Sequence, residues 1–162
     1  MKVTGNKLYE LLQLWQSRKK SLATEFEDSL MIFADQVKRS PEKIDEELIE
    51  AEVAITTIQS AQKQFNQSVN VSSGGPLDSA IRRLGVLKRA MQRWESVMES
   101  TTSGRIILER SKDSDFAKPS ILPSLMKEKL EVYTKSVLQL RAEIGDANAT
   151  SMDLGIPDKL RE

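Results

Sequence analysis

The stretch PEKIDEELIEAEVAITTIQSAQKQFNQSV, residues 41–69, carries the pattern from which the fold class follows. A repeat with alternating steps of four and three residues makes a helix with one apolar stripe, which a partner helix must cover. One polar residue, Gln62, interrupts the stripe, and it either sets register or oligomer state or lies at the bundle edge with its amide bonded to a neighbour. The stripe consists of Ile44, Leu48, Ala51, Ile55, Ile58, Gln62, Phe65 and Val69.

The segment before this helix has the same character. We expect a helix from about Thr4 to Phe33, with Thr4 as its N-cap and a hydrophobic staple between Val3 and Leu8. Its apolar positions are Leu8, Leu11, Leu12, Trp15, Leu22, Phe26 and Leu30. The second helix then begins at Ser40 as N-cap, with Pro41 in the first helical position and Glu42 facing the positive end of the helix dipole.

Two more helices follow the breaker NVSSGGP, residues 70–76, in which Pro76 suits a first helical position. The last helix is expected to begin near residues 120–124 and to end at Gly145, a natural left-handed cap. Its apolar positions are Met126, Leu130, Tyr133, Val137, Leu140 and Ile144. A strand-like pattern occurs only in RIIL, residues 105–108.

Short connections between the first three helices favour antiparallel neighbours. The sequence therefore predicts an all-α fold, an antiparallel bundle of about four long helices with a long loop at 99–119 before the last helix. We expect residues 1–148 to form a single helical domain. Residues 149–162 form a C-terminal tail, whose apolar side chains favour a short segment that packs back on the bundle.

The composition excludes several function classes. The 162 residues include no Cys and no His, so thiolate and histidine catalysis, disulfides and His- or Cys-ligated metals are ruled out. Lys plus Arg and Asp plus Glu number 24 each, which gives no overall field to attract polyanions. We therefore expect no enzymatic activity, no cofactor and no metal site. With no secretion signal and no transmembrane segment expected, a cytoplasmic location is favoured.

Five cations and no acid occupy residues 82–93. A helical projection places Arg82, Arg89 and Arg93 together, opposite the apolar side that includes Trp94, and leaves Asp78 within reach of Arg82. These arginines are either a solvated face or a surface that attracts a partner. Because Trp94 lies on the other side, the aromatic interleaving typical of single-strand binders is missing.

The second helix begins with six acids and one lysine over residues 42–52. If the second and third helices form a hairpin about Ser73, Arg93 approaches Glu50 or Glu52, whereas Arg82 and Arg89 meet uncharged residues. The acidic and basic patches would then be matched between two chains or against a third molecule. In the long loop, Arg105 and Arg110 flank an apolar patch that either docks on the bundle or a partner or belongs to a mobile surface connection.

Three short motifs resemble the septicolysin-like family of small bacterial helical proteins. They are Thr4-Gly5-Asn6-x-Leu8 before a helix with Trp15, AQKQFNQSV at 61–69, and GVLKRAMQRW at 85–94. The resemblance spans about residues 3–148 and implies an all-helical protein without an established enzymatic activity. Within the third motif, Gly85 costs about 1 kcal/mol relative to alanine in a helix. It either permits another helix to approach closely or is tolerated at the surface.

These observations favour a non-enzymatic helical protein that acts through protein–protein interaction and self-association. We expect a homo-oligomer, in the first instance a dimer, or an unidentified protein partner. The candidate partner-binding residues are Arg82, Arg89, Arg93, Arg105 and Arg110. Two alternatives stay open: a membrane-active, cytolysin-like protein, as the family name implies, and a protein that binds nucleic acid through the basic face of the third helix.

Overall fold

The computed structural model describes residues 2–31, 39–102 and 123–160. Over these residues the chain forms four long helices, α1 (Gly5–Met31), α2 (Pro41–Ser68), α3 (Leu77–Thr102) and α4 (Pro123–Ala149), with two short strands, β1 (Lys2–Thr4) and β2 (Ser151–Asp153). A short 3₁₀ helix, Asp158–Leu160, follows β2. The all-α fold class is confirmed. The loop predicted at 99–119 overlaps the last turn of α3, which continues to Thr102, and residues 103–122 lie outside the described residues.

The described residues divide into two compact units, Met1–Asn70 with Asp146–Glu162 and Val71–Gly145. In the first unit α1 and α2 are antiparallel, since Gly5 at the start of α1 lies beside Phe65 at the end of α2. Midway along the pair, Lys19 forms an ion pair with Glu52 at 2.7 Å. The single-domain boundary predicted at residue 148 stays a prediction.

Both predicted helix starts in this unit have the expected caps. The Thr4 hydroxyl accepts a hydrogen bond from the Lys7 backbone N–H at 3.2 Å, and Val3 and Leu8 are both buried. At α2 the Ser40 side chain accepts from the Lys43 N–H, and Pro41 begins the helix. Each cap satisfies one N–H that the first helical turn leaves without an intrahelical partner.

The core of the first unit is built from the heptad of α2, with a small correction. Ile44, Ala51, Ile58 and Phe65 are buried, as predicted. The second buried row is Ala54 and Ala61, whereas the predicted Leu48, Ile55 and Gln62 are half-buried. The small alanines let α1 approach closely, so the buried stripe is rotated toward them. Gln62 is consequently half-buried at the edge of the stripe, which matches the position in its second interpretation, while the hydrogen bond of its amide to a neighbour stays a prediction.

Leu30 departs from the α1 prediction. It is 61% exposed and Phe26 is half-buried, while Leu8, Leu11, Leu12, Trp15 and Leu22 are buried as predicted.

The chain ends of the first unit are joined by elements that the sequence pattern did not indicate. β1 and β2 pair antiparallel, with Val3 opposite Met152. The tail then turns at Gly155, whose φ is 62°, and buries Ile156 and Leu160. The Trp15 indole N–H donates to the Leu160 carbonyl at 3.0 Å. The tail thus packs back on α1, in keeping with the packing segment suggested by its apolar residues.

In the second unit α3 and α4 are antiparallel. Arg83 and Glu143 lie at one end of a cleft that also contains Leu87 and Leu140, and the Thr134 hydroxyl contacts the Met91 sulfur at 3.7 Å farther along. The buried apolar side chains are Val71, Leu77, Ala80, Ala90, Met126, Val137 and Leu140.

The ends of α3 and α4 correct two predictions. α3 begins one residue after Pro76, whose carbonyl accepts from the Ser79 N–H at 3.0 Å. Gly145 does not end α4, which continues to Ala149 because Ala147 is buried in the first unit and Asn148 lies against Gly5 there. Packing of this last turn outweighs the weak helix propensity of one glycine.

Candidate interaction surface

The three arginines singled out on α3 project into solvent. Arg82, Arg89 and Arg93 are all exposed, while Leu84, Leu87, Met91 and Trp94 are half-buried on other sides of the helix. Arg82 forms the expected ion pair with Asp78, at 2.9 Å. Among the described residues, no carboxylate forms an ion pair with Arg89 or Arg93.

Two valines interleave with these arginines, a feature that the sequence analysis missed. Val86 is 55% exposed and Val97 is 41% exposed. At 100° per residue they fall at about 40° and 60° from Arg82, so the same projection that grouped the arginines could have found them. We call the surface formed by Arg82, Val86, Arg89, Arg93 and Val97 the basic face. It combines guanidinium groups with exposed apolar side chains, the mixture found in protein interfaces.

Gly85 lies next to this surface, and no other helix of the described residues approaches it closely. A Cβ placed there would have only the Arg89 guanidinium within 4 Å, at 3.6 Å, which is an ordinary contact. The close-approach interpretation is therefore wrong for the part of the chain described, and Gly85 is a tolerated surface glycine.

Two acids at the start of α2 form ion pairs with cations of the first unit. Glu52 pairs with Lys19 of α1, and Glu47 pairs with Arg39 and, at 3.9 Å, with Arg18. The hydrogen bond with Glu47 is the main cause that raises the pKa of Arg39. The antiparallel packing of α1 and α2 therefore places cations of α1 beside Glu52 and Glu47.

A small cleft in the second unit contains a carboxylate, Glu143, that accepts two side-chain hydrogen bonds. The cleft has a volume of about 110 Å³, and in it the Ser73 hydroxyl donates to Glu143 at 2.5 Å. The Gln139 amide donates to the same carboxylate at 3.1 Å. These hydrogen bonds, with the charge of Arg83, lower the pKa of Glu143. A carboxylate stabilised in this way is a weak base, so the arrangement ties the loop before α3 to α4 rather than activating the serine.

A second, shallow groove of about 350 Å³ lies in the first unit between α2 and the turn at Gly155. Its hydroxyl groups are already engaged. Thr56, Thr57 and Ser60 each donate to the backbone carbonyl four residues earlier. The hydroxyl groups therefore offer a ligand only acceptor lone pairs, while the Gln64 amide and the apolar Leu154 form other parts of the lining.

Three further predictions concern the two other arginines, a metal site and a membrane-spanning helix. Arg105 and Arg110 lie outside the described residues. Within residues 2–31, 39–102 and 123–160, no group of three or more acidic side chains is arranged to hold a metal ion. None of the helices that the structure describes is both long and apolar enough to cross a membrane.

The sequence matches no protein-family model and no curated protein. In structure the chain is similar to a functionally unknown conserved protein from Corynebacterium diphtheriae, with a TM-score of 0.75 and 17% sequence identity. The match covers 94% of this chain and 100% of the other. At this identity the likeness establishes a shared fold.

Proposed function

We propose that this is a non-enzymatic helical protein that acts through protein–protein contacts, including contacts between its own copies. The observation that carries the proposal is the basic face of α3. Three exposed arginines alternate there with two exposed valines on a helix whose other sides contribute to packing. Arginines attract and orient a partner, and covering the exposed part of an apolar side chain such as Val86 is favourable.

The chemistry of the described residues supports a role without catalysis. The chain has no His or Cys, and no charged side chain of the described residues is buried. Two carboxylates of the described residues, Glu131 and Glu143, have lowered pKa values, because each accepts hydrogen bonds from its neighbours. A general base that works near neutral pH needs a shift in the opposite direction.

We also propose that the chain is a member of the septicolysin-like family, that it is located in the cytoplasm, and that it forms a homo-oligomer, in the first instance a dimer. Two of the motifs behind the resemblance meet in the first unit. A Cβ on Gly5 of the Thr-Gly-Asn motif would lie 2.7 Å from the Phe65 ring of the AQKQFNQSV motif. A chain without Cys also has no need of an oxidising compartment.

Sedimentation velocity over a range of protein concentrations tests the proposal. The variant Arg82→Glu/Arg89→Glu/Arg93→Glu should sediment as a smaller species than the wild-type protein at the same concentration. The matched control Lys20→Glu/Lys129→Glu/Arg141→Glu changes the net charge equally at exposed positions elsewhere and should sediment as the wild type. If wild type and triple variant sediment identically at every concentration, self-association through the basic face is refuted.

A further inference from the structure

The outward side of α2 is an acidic counterpart of the basic face. Glu42, Glu46 and Glu50 are exposed and, within the described residues, no cation forms an ion pair with them. Ile49 and Val53 are 55% and 61% exposed. We call these five residues the acidic face. They project away from Ile44, Ala51 and Ile58, which are buried in the first unit.

The two faces have the same spacing when one helix is reversed. Along α2 the sequence Glu42, Glu46, Ile49, Val53 advances by four, three and four residues. Along α3 read backwards, Arg93, Arg89, Val86, Arg82 advances by the same steps. Each set spans about 16 Å at 1.5 Å per residue. Two helices in antiparallel contact can therefore match over this span of about 16 Å.

The match is chemical as well as geometric. In this antiparallel register Arg93 faces Glu42 and Arg89 faces Glu46, which gives two pairs of opposite charge. Val86 faces Ile49 in the next position, an apolar pair of exposed side chains. Arg82 falls beside Val53 and within one turn of Glu50, so its aliphatic stem can cover the valine while its charge lies near the carboxylate.

We propose that the acidic face of α2 in one copy docks on the basic face of α3 in a second copy, antiparallel and in this register. The inference rests on the proposed function and names its partner surface. Charge complementarity argues for a second copy of this chain, because each copy carries both faces and leaves both exposed. A hairpin about Ser73 would put Arg93 opposite residue 53, about 16 Å from the register with Glu42.

A charge-swap experiment tests the contact. The acidic-face variant Glu42→Lys/Glu46→Lys and the basic-face variant Arg89→Glu/Arg93→Glu are each measured alone by sedimentation velocity. Each should self-associate at least about tenfold more weakly than wild type, because like charges now face each other. Mixed in equal amounts, they should associate as wild type does, since every contact between unlike variants is complementary.

Two control variants distinguish the effect of a changed net charge from the loss of the contact between the two faces. Glu27→Lys/Asp28→Lys on α1 and Lys129→Glu/Arg141→Glu on α4 change net charge by the same amounts at exposed positions, and circular dichroism verifies that every variant is folded. Neither control should alter association. Raising the NaCl concentration from about 0.05 to 0.5 M should weaken the wild-type contact, because salt screens exposed charges.

The outcomes separate the two levels of the proposal. Recovery of association only in the mixture supports the docking of α2 on α3. If the basic-face variant weakens association while the acidic-face variant does not, the basic face stands and the acidic face is overturned as its partner. If wild type is monomeric throughout, or neither variant has an effect, the docking and the self-association that it specifies are both overturned.

Discussion

Replacing Gly5 by alanine is the sharpest test of how the first unit is packed. A Cβ at this position would lie 2.3 Å from the Asn148 side-chain oxygen and 2.7 Å from the Phe65 ring. Both distances are too short for carbon contacts, so at least one neighbour must move. Phe65 is fully buried and has little freedom to do so.

The expected magnitude follows from two opposing effects. Overpacking of a well-packed core costs about 1–3 kcal/mol. Alanine gains at most about 1 kcal/mol over glycine in a helix, and less at the first helical residue. We therefore expect Gly5→Ala to lower the free energy of unfolding by about 2 kcal/mol. In a chain of this size that corresponds to a fall in Tm of about 4–8 °C.

Thermal unfolding followed by circular dichroism measures the effect, with Gly145→Ala as the matched control. Gly145 lies inside α4, has no atom within 4 Å of its Cβ position and does not have a positive φ. Its replacement should stabilise the protein by about 0.5–1 kcal/mol. If Gly5→Ala were to raise the Tm as Gly145→Ala does, the close approach of Gly5 to Phe65 and Asn148 would be refuted.

Two further predictions concern the tail and the cleft. Deletion of residues 158–162 removes the carbonyl that accepts from the Trp15 indole, so in a Trp94→Phe background Trp15 fluorescence should shift to longer wavelength; an unchanged spectrum would contradict this contact. Ser73→Ala removes the main cause of the lowered pKa of Glu143, so a ¹³C NMR titration should find that pKa raised. Ionised Glu143 stabilises the fold above its unfolded-state pKa of about 4.3 and ceases to do so as pH falls through the folded-state value. In the variant the two pKa values lie closer together, so the stability lost on acidification should be smaller and the loss should be complete at a higher pH than in the wild type. A pKa equal to the wild-type value would rule out the hydrogen bond.

Part of the candidate interaction surface was predictable from the sequence. The ion pair between Asp78 and Arg82 and the exposure of the three arginines follow from helical spacing alone. The interleaved valines were within reach of the same projection. The ion-pair partners of Glu47 and Glu52 could not be predicted in this way. They depend on how α1 packs against α2, and the residue spacing within one helix does not give that packing.

Local chemistry determined the helices and their beginnings. The caps at Thr4 and Ser40 satisfy nearby backbone N–H groups, and the heptad of α2 requires a partner helix whatever the rest of the chain does. Two members of its C-terminal half, Ile58 and Phe65, are inaccessible to solvent as predicted, and in the second unit Val137 and Leu140 are buried too.

Tertiary structure alone decided the details that involve distant residues. The β1–β2 pair joins residues nearly 150 positions apart, and each strand is three residues long, too short to show an alternating pattern. The same holds for Gly5, where Phe65 and Asn148 leave no room for a Cβ atom. It holds also for α4, which continues through Gly145 because its last turn is packed. Backbone preferences of a few tenths of a kcal/mol to about 1 kcal/mol act locally, whereas burial of whole side chains contributes more and depends on which segments meet.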